Sequence, residues 1–192
     1  DEGGWGLDAV WADDFHHQMR RLLAGDRDGY YRDFTGTTAD IASTVRHGWF
    51  FTGQYSEHLQ EHRGTDPFGL PPERFVVCLQ NHDQVGNRAL GDRLHHAVDG
   101  AAYRAASVLL LTLPQTPLLF MGQEWAASSP FLYFTDHEPA LGRLITKGRR
   151  REFKDFAAFA DAQARERIPD PQALDTFLAS RLDWTERSAE PH

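Results

Sequence analysis

The feature that most limits the fold is an abrupt change of chemistry within one short stretch. Residues Phe75 to Leu79 read F-V-V-C-L, an unbroken apolar run of strand length, rich in β-branched and aromatic residues. A strand with one wet face would alternate apolar and polar residues. This run instead predicts a strand buried on both faces, as in parallel sheets. Gln80, Asn81, His82, Asp83 and Gln84 follow with no spacer. They place amides, an imidazole and a carboxylate just past the carboxyl end of the strand, where barrels and open α/β sheets collect reactive groups. Gly86 and Gly91 then permit tight turns. An isolated His-Asp pair has an ordinary reading, with Asp83 as a cap or turn residue.

Two further apolar runs end in the same manner. Ala9 to Ala12 leads into Asp13 and Asp14, and Leu118 to Met121 leads into Gly122, Gln123 and Glu124. Helical spacing lies between the runs. Met19, Leu22 and Leu23 predict a helix over 16–24 closed by Gly25, and Ile41, Val45 and Trp49 predict one over 38–49. Ala101 to Leu113 predicts an apolar helix stopped by Pro114 and Pro117. Lys147 to Phe159 predicts a further helix, and Pro171 to Arg181 a weaker one. The stretch ending at Phe34 reads as an irregular aromatic connection. Residues 53–74, with Gly64, Gly69 and three prolines, read as a long loop. Strand-then-helix repetition with buried strands predicts the α/β class and a parallel sheet. Pattern alone does not separate a barrel from an open doubly wound sheet.

Composition narrows the partners. The 192 residues suffice for one domain with a substantial core, and a net charge of −8 argues against nucleic acid. Arg149 to Arg151 is predicted to form a solvated helix face. No apolar stretch approaches the ~20 residues that span a bilayer, so no membrane partner is expected. Cys78 is the single cysteine, which excludes an internal disulfide and fits a reducing cytoplasm. Its place in the apolar run predicts a buried, inert thiol. No signal peptide is visible. The opening D-E-G-G-W-G and the closing S-A-E-P-H suggest a segment of a larger protein.

Longer strings carry a resemblance. N-H-D-Q-V-G-N-R-A-L-G-D-R, residues 81–93, resembles the fourth signature region of the α-amylase superfamily, glycoside hydrolase family 13. Within that family it is similar to the malto-oligosyltrehalose trehalohydrolases. W-G-L-D-A-V-W-A-D-D-F-H-H at 5–17 and G-Q-E-W-A-A-S-S-P-F-L-Y-F-T-D-H at 122–137 are similar to the same branch. The resemblance implies that residues 1–192 are the C-terminal portion of a catalytic domain, a partial (β/α)8 TIM barrel. The three apolar runs would be about strands six to eight, with the earlier strands upstream.

The resemblance also implies an activity. This is hydrolysis of the α-1,4-glucosidic bond next to the terminal trehalose of maltooligosyl trehalose, releasing trehalose with retention of configuration. It implies no cofactor and no metal, and a malto-oligosyltrehalose synthase as the neighbouring source of substrate. Asp83 takes the position of the transition-state stabiliser. Asn81, His82 and Gln84 become sugar contacts, as do Asp14, His17 and Glu124. The nucleophilic Asp and the acid Glu of the family lie outside the chain, so the chain alone is expected to be inactive. Asp8 sits in an L-D-A context like that of the nucleophile, but Gly6 replaces the arginine-containing approach, and the role is not carried over.

Alternatives remain at this point. Another superfamily enzyme such as a glycogen-branching enzyme fits the fold, and so does a non-catalytic carbohydrate-binding piece. Asp13, Asp14, His16 and His17 have the mixed carboxylate and imidazole character of a divalent metal site. Asp14 and His17 also suit capping and orienting the helix that follows them. Trp125, Phe131, Tyr133 and Phe134 suit either stacking on sugar rings or packing in a core.

Overall fold

The computed structural model describes residues 6–189. The opening Asp1–Trp5 and the closing Glu190–His192 lie outside the described residues, and with them the first residue of the 5–17 motif. The chain divides into two compact units, one from residues up to 80 with 97–120, the other from 81–96 with 121 onward.

The first unit is built on a three-stranded parallel sheet. Strand β1 (Val10–Trp11) and strand β5 (Thr116–Leu118) flank strand β4 (Phe75–Cys78), in the order β1-β4-β5. Val10 pairs with Phe75, and Val76 pairs with Thr116. The expected neighbouring parallel strands are therefore present, and the class is α/β. Burial on both faces holds for β4, where Phe75, Val77 and Cys78 are buried. It fails for β1: Val10 and Trp11 are each 46% exposed, because β1 has a partner on one side only among the described residues. Strand β5 begins and ends earlier than the apolar run 118–121 predicts. It takes in Pro117, which lacks an N–H, at a sheet edge where proline is tolerated.

Helix α1 (Asp14–Leu23) follows β1, and Gly25, with φ +73°, ends it by donating its N–H to Arg20 O. The connection near Phe34 is a 3-10 turn, Gly29–Asp33. Helix α2 (Thr38–His47) starts where the Thr37 side chain accepts the Asp40 N–H. It ends at Gly48, with φ +77°, where a Cβ would stand 2.6 Å from the Phe75 ring. Only glycine lets the chain pass the first residue of β4 at this distance. The segment 53–74 is more ordered than a loop. It holds an antiparallel hairpin, β2 (Tyr55–Ser56) and β3 (Glu61–His62), and a 3-10 turn at Pro72–Arg74. Asp33 fastens the hairpin by accepting from the Ser56 hydroxyl and from the His58 N–H at 3.0 Å. Helix α5 (Gly100–Thr112) precedes β5 and is capped by Asp99, which accepts from the Ala101 and Ala102 N–H groups.

The second unit is helical. It comprises α3 (His82–Gly86), all but the last residue of α4 (Leu94–Ala97), α6 (Pro139–Glu152), α7 (Ala162–Glu166) and α8 (Leu174–Ala179). The helix expected over 147–159 starts eight residues earlier and gives way after Glu152 to 3-10 turns at Phe153–Asp155 and Ala157–Phe159. Ala89, Phe153 and Ile168 form a buried cluster, with Phe156 and Phe159 packed against it.

One expectation about charge is overturned here. Arg149 to Arg151 is not a uniformly solvated face: Arg149 is buried, Arg150 pairs with Glu166 at 2.6 Å, and Arg151 is exposed. The three sit at successive 100° steps around α6, so the face turned inward takes one of them. No described helix is long and apolar enough to cross a membrane.

Candidate active site

Strand β4 ends at Cys78, and its thiol is buried and pushed up to about 12 by that burial, with the charge of Asp13 adding to the effect. A thiol held protonated in this way is no nucleophile at neutral pH. Two buried amides follow, Gln80 and Asn81. The Asn81 side chain accepts the Gln84 N–H at 2.8 Å and so starts the single turn of α3. That cap turns the next two side chains outward. His82 and Asp83 are more than half exposed, with His82 Nε2 3.4 Å from Asp83 Oδ1. Asn81, His82, Asp83 and Gln84 are thus brought together on one turn, with the first buried as its anchor and the acid–imidazole pair presented to solvent.

Glu124 is exposed in the segment after Met121. This segment is fastened by a residue to which the sequence reading gave no role. Arg93 is fully buried; its Nε donates to Ser129 O at 2.7 Å and its Nη1 to Met121 O at 2.8 Å, the two carbonyls bracketing Glu124. Gly91 adds a second tie. Its φ is +60°, its carbonyl accepts the Phe131 N–H at 2.9 Å, and a Cβ there would meet Phe131 O at 2.5 Å. Ser128 donates its N–H and hydroxyl to Glu186, which closes the far side of the segment. Of the four candidate aromatics, Trp125 is buried against Trp184, with ring centroids 5.3 Å apart. Tyr133 and Phe134 are partly exposed, and Phe134 packs edge-on to Phe131 and Phe177.

Asp14 and His17 belong to the first unit. Asp14 is buried, and its Oδ2 accepts the Phe50 N–H at 2.9 Å and the Phe51 N–H at 3.3 Å. Arg63, from the end of the hairpin, stands 3.6 Å from Oδ1. His17 Nδ1 is 4.0 Å from the same oxygen, an electrostatic contact too long for a hydrogen bond. Burial raises the Asp14 carboxyl, but His17, the Phe50 N–H and Arg63 together outweigh it and hold the group below its ordinary value. His17 is packed among Tyr30, Tyr31 and Phe34. Asp14 therefore fixes the chain at 50–51, and Arg63 is a second participant not foreseen from sequence, since it lies in a stretch read as loop. Among the described residues, no group of three or more His, Cys, Asp or Glu side chains is gathered as a metal would require.

The chain is similar along its length to known enzymes. It is 48% identical over 191 residues to a malto-oligosyltrehalose trehalohydrolase of Deinococcus radiodurans, covering 97% of this chain and 31% of that protein. Proteins of the same name from Mycobacterium tuberculosis and Saccharolobus solfataricus are 42% and 39% identical, over 99% and 94% of the chain. The chain spans about a third of the length of these curated relatives. A crystal structure of a Salmonella typhimurium protein that bears the name of an alpha amylase matches with a TM-score of 0.84 and 40% identity, covering 96% of this chain and 30% of that one. No family model matches.

Proposed function

Because the chain belongs to the malto-oligosyltrehalose trehalohydrolase family, we propose that it forms part of an enzyme that cleaves the α-1,4-glucosidic bond next to the terminal trehalose of maltooligosyl trehalose. The observation that carries this reading is the 48% identity to a trehalohydrolase over nearly the whole chain. In the same reading, residues 1–192 are about strands six to eight of a (β/α)8 barrel, the C-terminal portion of the catalytic domain. The parallel order β1-β4-β5 supports it.

A retaining glycosidase needs one carboxyl to protonate the departing oxygen and a second, ~5–5.5 Å away, to attack the anomeric carbon. Both are assigned to parts of the enzyme outside this chain. Asp83 is assigned a third task. Its exposed carboxylate favours the positively charged, distorted sugar of the transition state over the neutral ground state. His82, Gln84 and Glu124 contact sugar hydroxyls, and Asn81 holds the turn that presents His82 and Asp83. Asp14 and His17 are assigned a supporting part in substrate binding without direct sugar contact, since both are buried and Asp14 holds the chain at residues 50 and 51. Carboxyl groups and water suffice for this chemistry, so the proposal includes no cofactor. A malto-oligosyltrehalose synthase supplies the substrate, in the cytoplasm.

The test uses the full-length protein and assays trehalose release from maltooligosyl trehalose. Asp83→Asn keeps the shape and removes the charge, so kcat should fall by about 10²- to 10³-fold, with melting temperature unchanged. A near-normal kcat would refute the role of Asp83. Transfer of glucan chains into branches, with no trehalose released by the unmodified protein, would overturn the proposed reaction.

A further inference from the structure

We infer that Arg149 is a positioning residue for the turn carrying His82 and Asp83, acting on its far end and touching no substrate. Its guanidinium is buried in the second unit. Nη2 donates to Gly86 O at 2.8 Å and to Arg88 O at 2.9 Å, while Nη1 donates to Glu152 at 3.2 Å. The plane is further fixed by two rings. Its carbon lies 4.7 Å from the Phe153 centroid and 5.2 Å from that of Tyr133.

One of the two carbonyls it takes, that of Gly86, is among those that a helix end leaves without partners. Gly86 is the last residue of α3 and Arg88 lies two residues beyond; Arg88 O also accepts the Gly91 N–H. A cation on the carboxyl end of a helix satisfies orphan acceptors and complements the partial negative charge gathered there. So short a helix has little stability of its own. Asn81 holds one end of it and Arg149 the other, with His82 and Asp83 between. Lysine cannot reproduce the whole arrangement: an ammonium could serve two carbonyls, but it has no second nitrogen to reach Glu152 and no planar group to lie against Phe153 and Tyr133.

This inference rests on the assignment of Asp83, and its test separates the two. In the full-length protein, kcat and KM for trehalose release are measured for Arg149→Lys, Asp83→Asn and the double variant, with Arg151→Lys as an exposed control. Misplacing a charge by about 1 Å can cost on the order of 10²-fold, so Arg149→Lys should lower kcat by about 10- to 100-fold with KM changed less than about threefold. If Arg149 acts through Asp83, the double variant should be no slower than Asp83→Asn alone, because there is no longer a charge to place. Arg151→Lys should match the unmodified protein.

A normal kcat in Arg149→Lys, or losses that multiply in the double variant, would overturn the inference. A normal kcat in Asp83→Asn would instead remove the reading beneath it. Should Arg149→Lys fail to fold, Glu152→Gln and Tyr133→Leu loosen the same guanidinium more gently, and a kcat loss that disappears in the Asp83→Asn background is again expected. A loss that persists there would count against the inference.

Discussion

At the scale of single residues, the second unit contains a histidine whose environment disfavours its charge. Burial, only partly opposed by the Ala127 carbonyl it hydrogen-bonds and reinforced by His96 and Arg93, lowers His95 to about 4 from an ordinary value of 6.5. Between those values the unfolded chain takes up a proton that the folded chain refuses. The folded state therefore binds fewer protons, and its stability falls as pH drops from about 6.5 toward 4. His95→Gln keeps a donor for the Ala127 carbonyl and removes the proton site. The melting temperature of the full-length variant should fall less steeply than that of the parent over this range; parallel curves would show that His95 is not the group responsible. Residue identity was legible unevenly. The Asn81–Gln84 cluster is conspicuous because polar groups follow a buried strand without a break. Arg93 and Arg149 were not, since arginine in a sequence reads as surface, and only the fold reveals which guanidiniums are spent on backbone carbonyls.

At the scale of elements, helix α6 depends on a start signal that helical periodicity overlooks. Glu138 accepts the Ala140 and Leu141 N–H groups at 2.8 Å each, with Pro139 pre-set in the first helical position. The expected start at Lys147 passes over Leu141, Leu144 and Ile145, which recur at helical intervals around Gly142. The Pro139 signal, weighed alone, finds the true one. Glu138→Ala should cost about 1 kcal/mol, seen as a lower denaturant midpoint with unchanged slope. An unchanged midpoint would mean that water replaces the cap without loss. The strands divide in the same way. Strand β4 is legible because its burial leaves no polar interruption, whereas β5 starts two residues before its apolar run and takes in Pro117, which reads in a sequence as a stop. The hairpin of residues 55–62 is invisible to periodicity, as its pairing is two residues long and its anchor, Asp33, lies in another segment.

For the whole molecule, the exposed apolar surface bears on how the 192-residue chain behaves by itself. Val10 and Trp11 on the outer edge of β1, and Val108 and Leu111 on α5, are about half exposed or more. An unpaired edge strand and an uncovered apolar helix face both promote association. The isolated chain should therefore scatter light increasingly with concentration and release no trehalose above a blank. A monomeric chain with a cooperative melt would count against the cut-barrel reading, and trehalose release would count against placing the acid and nucleophile elsewhere. The α/β class and the neighbouring parallel strands were readable from sequence. The hold of Asp14 on the chain at 50–51 was not, because it joins residues 36 positions apart with no pattern in common.

The close passage of Gly91 against Phe131 offers a built-in reporter. The Phe131 amide is tied to a carbonyl forty residues away, and no side chain larger than hydrogen fits at the crossing. Solvent deuterium can enter at that one amide only when this hydrogen bond breaks, which loosens one of the ties between the segments behind Asp83 and Glu124 while those of Arg93 stay in place. The exchange rate of a single amide proton thus becomes a clock for how often this crossing opens, readable without substrate.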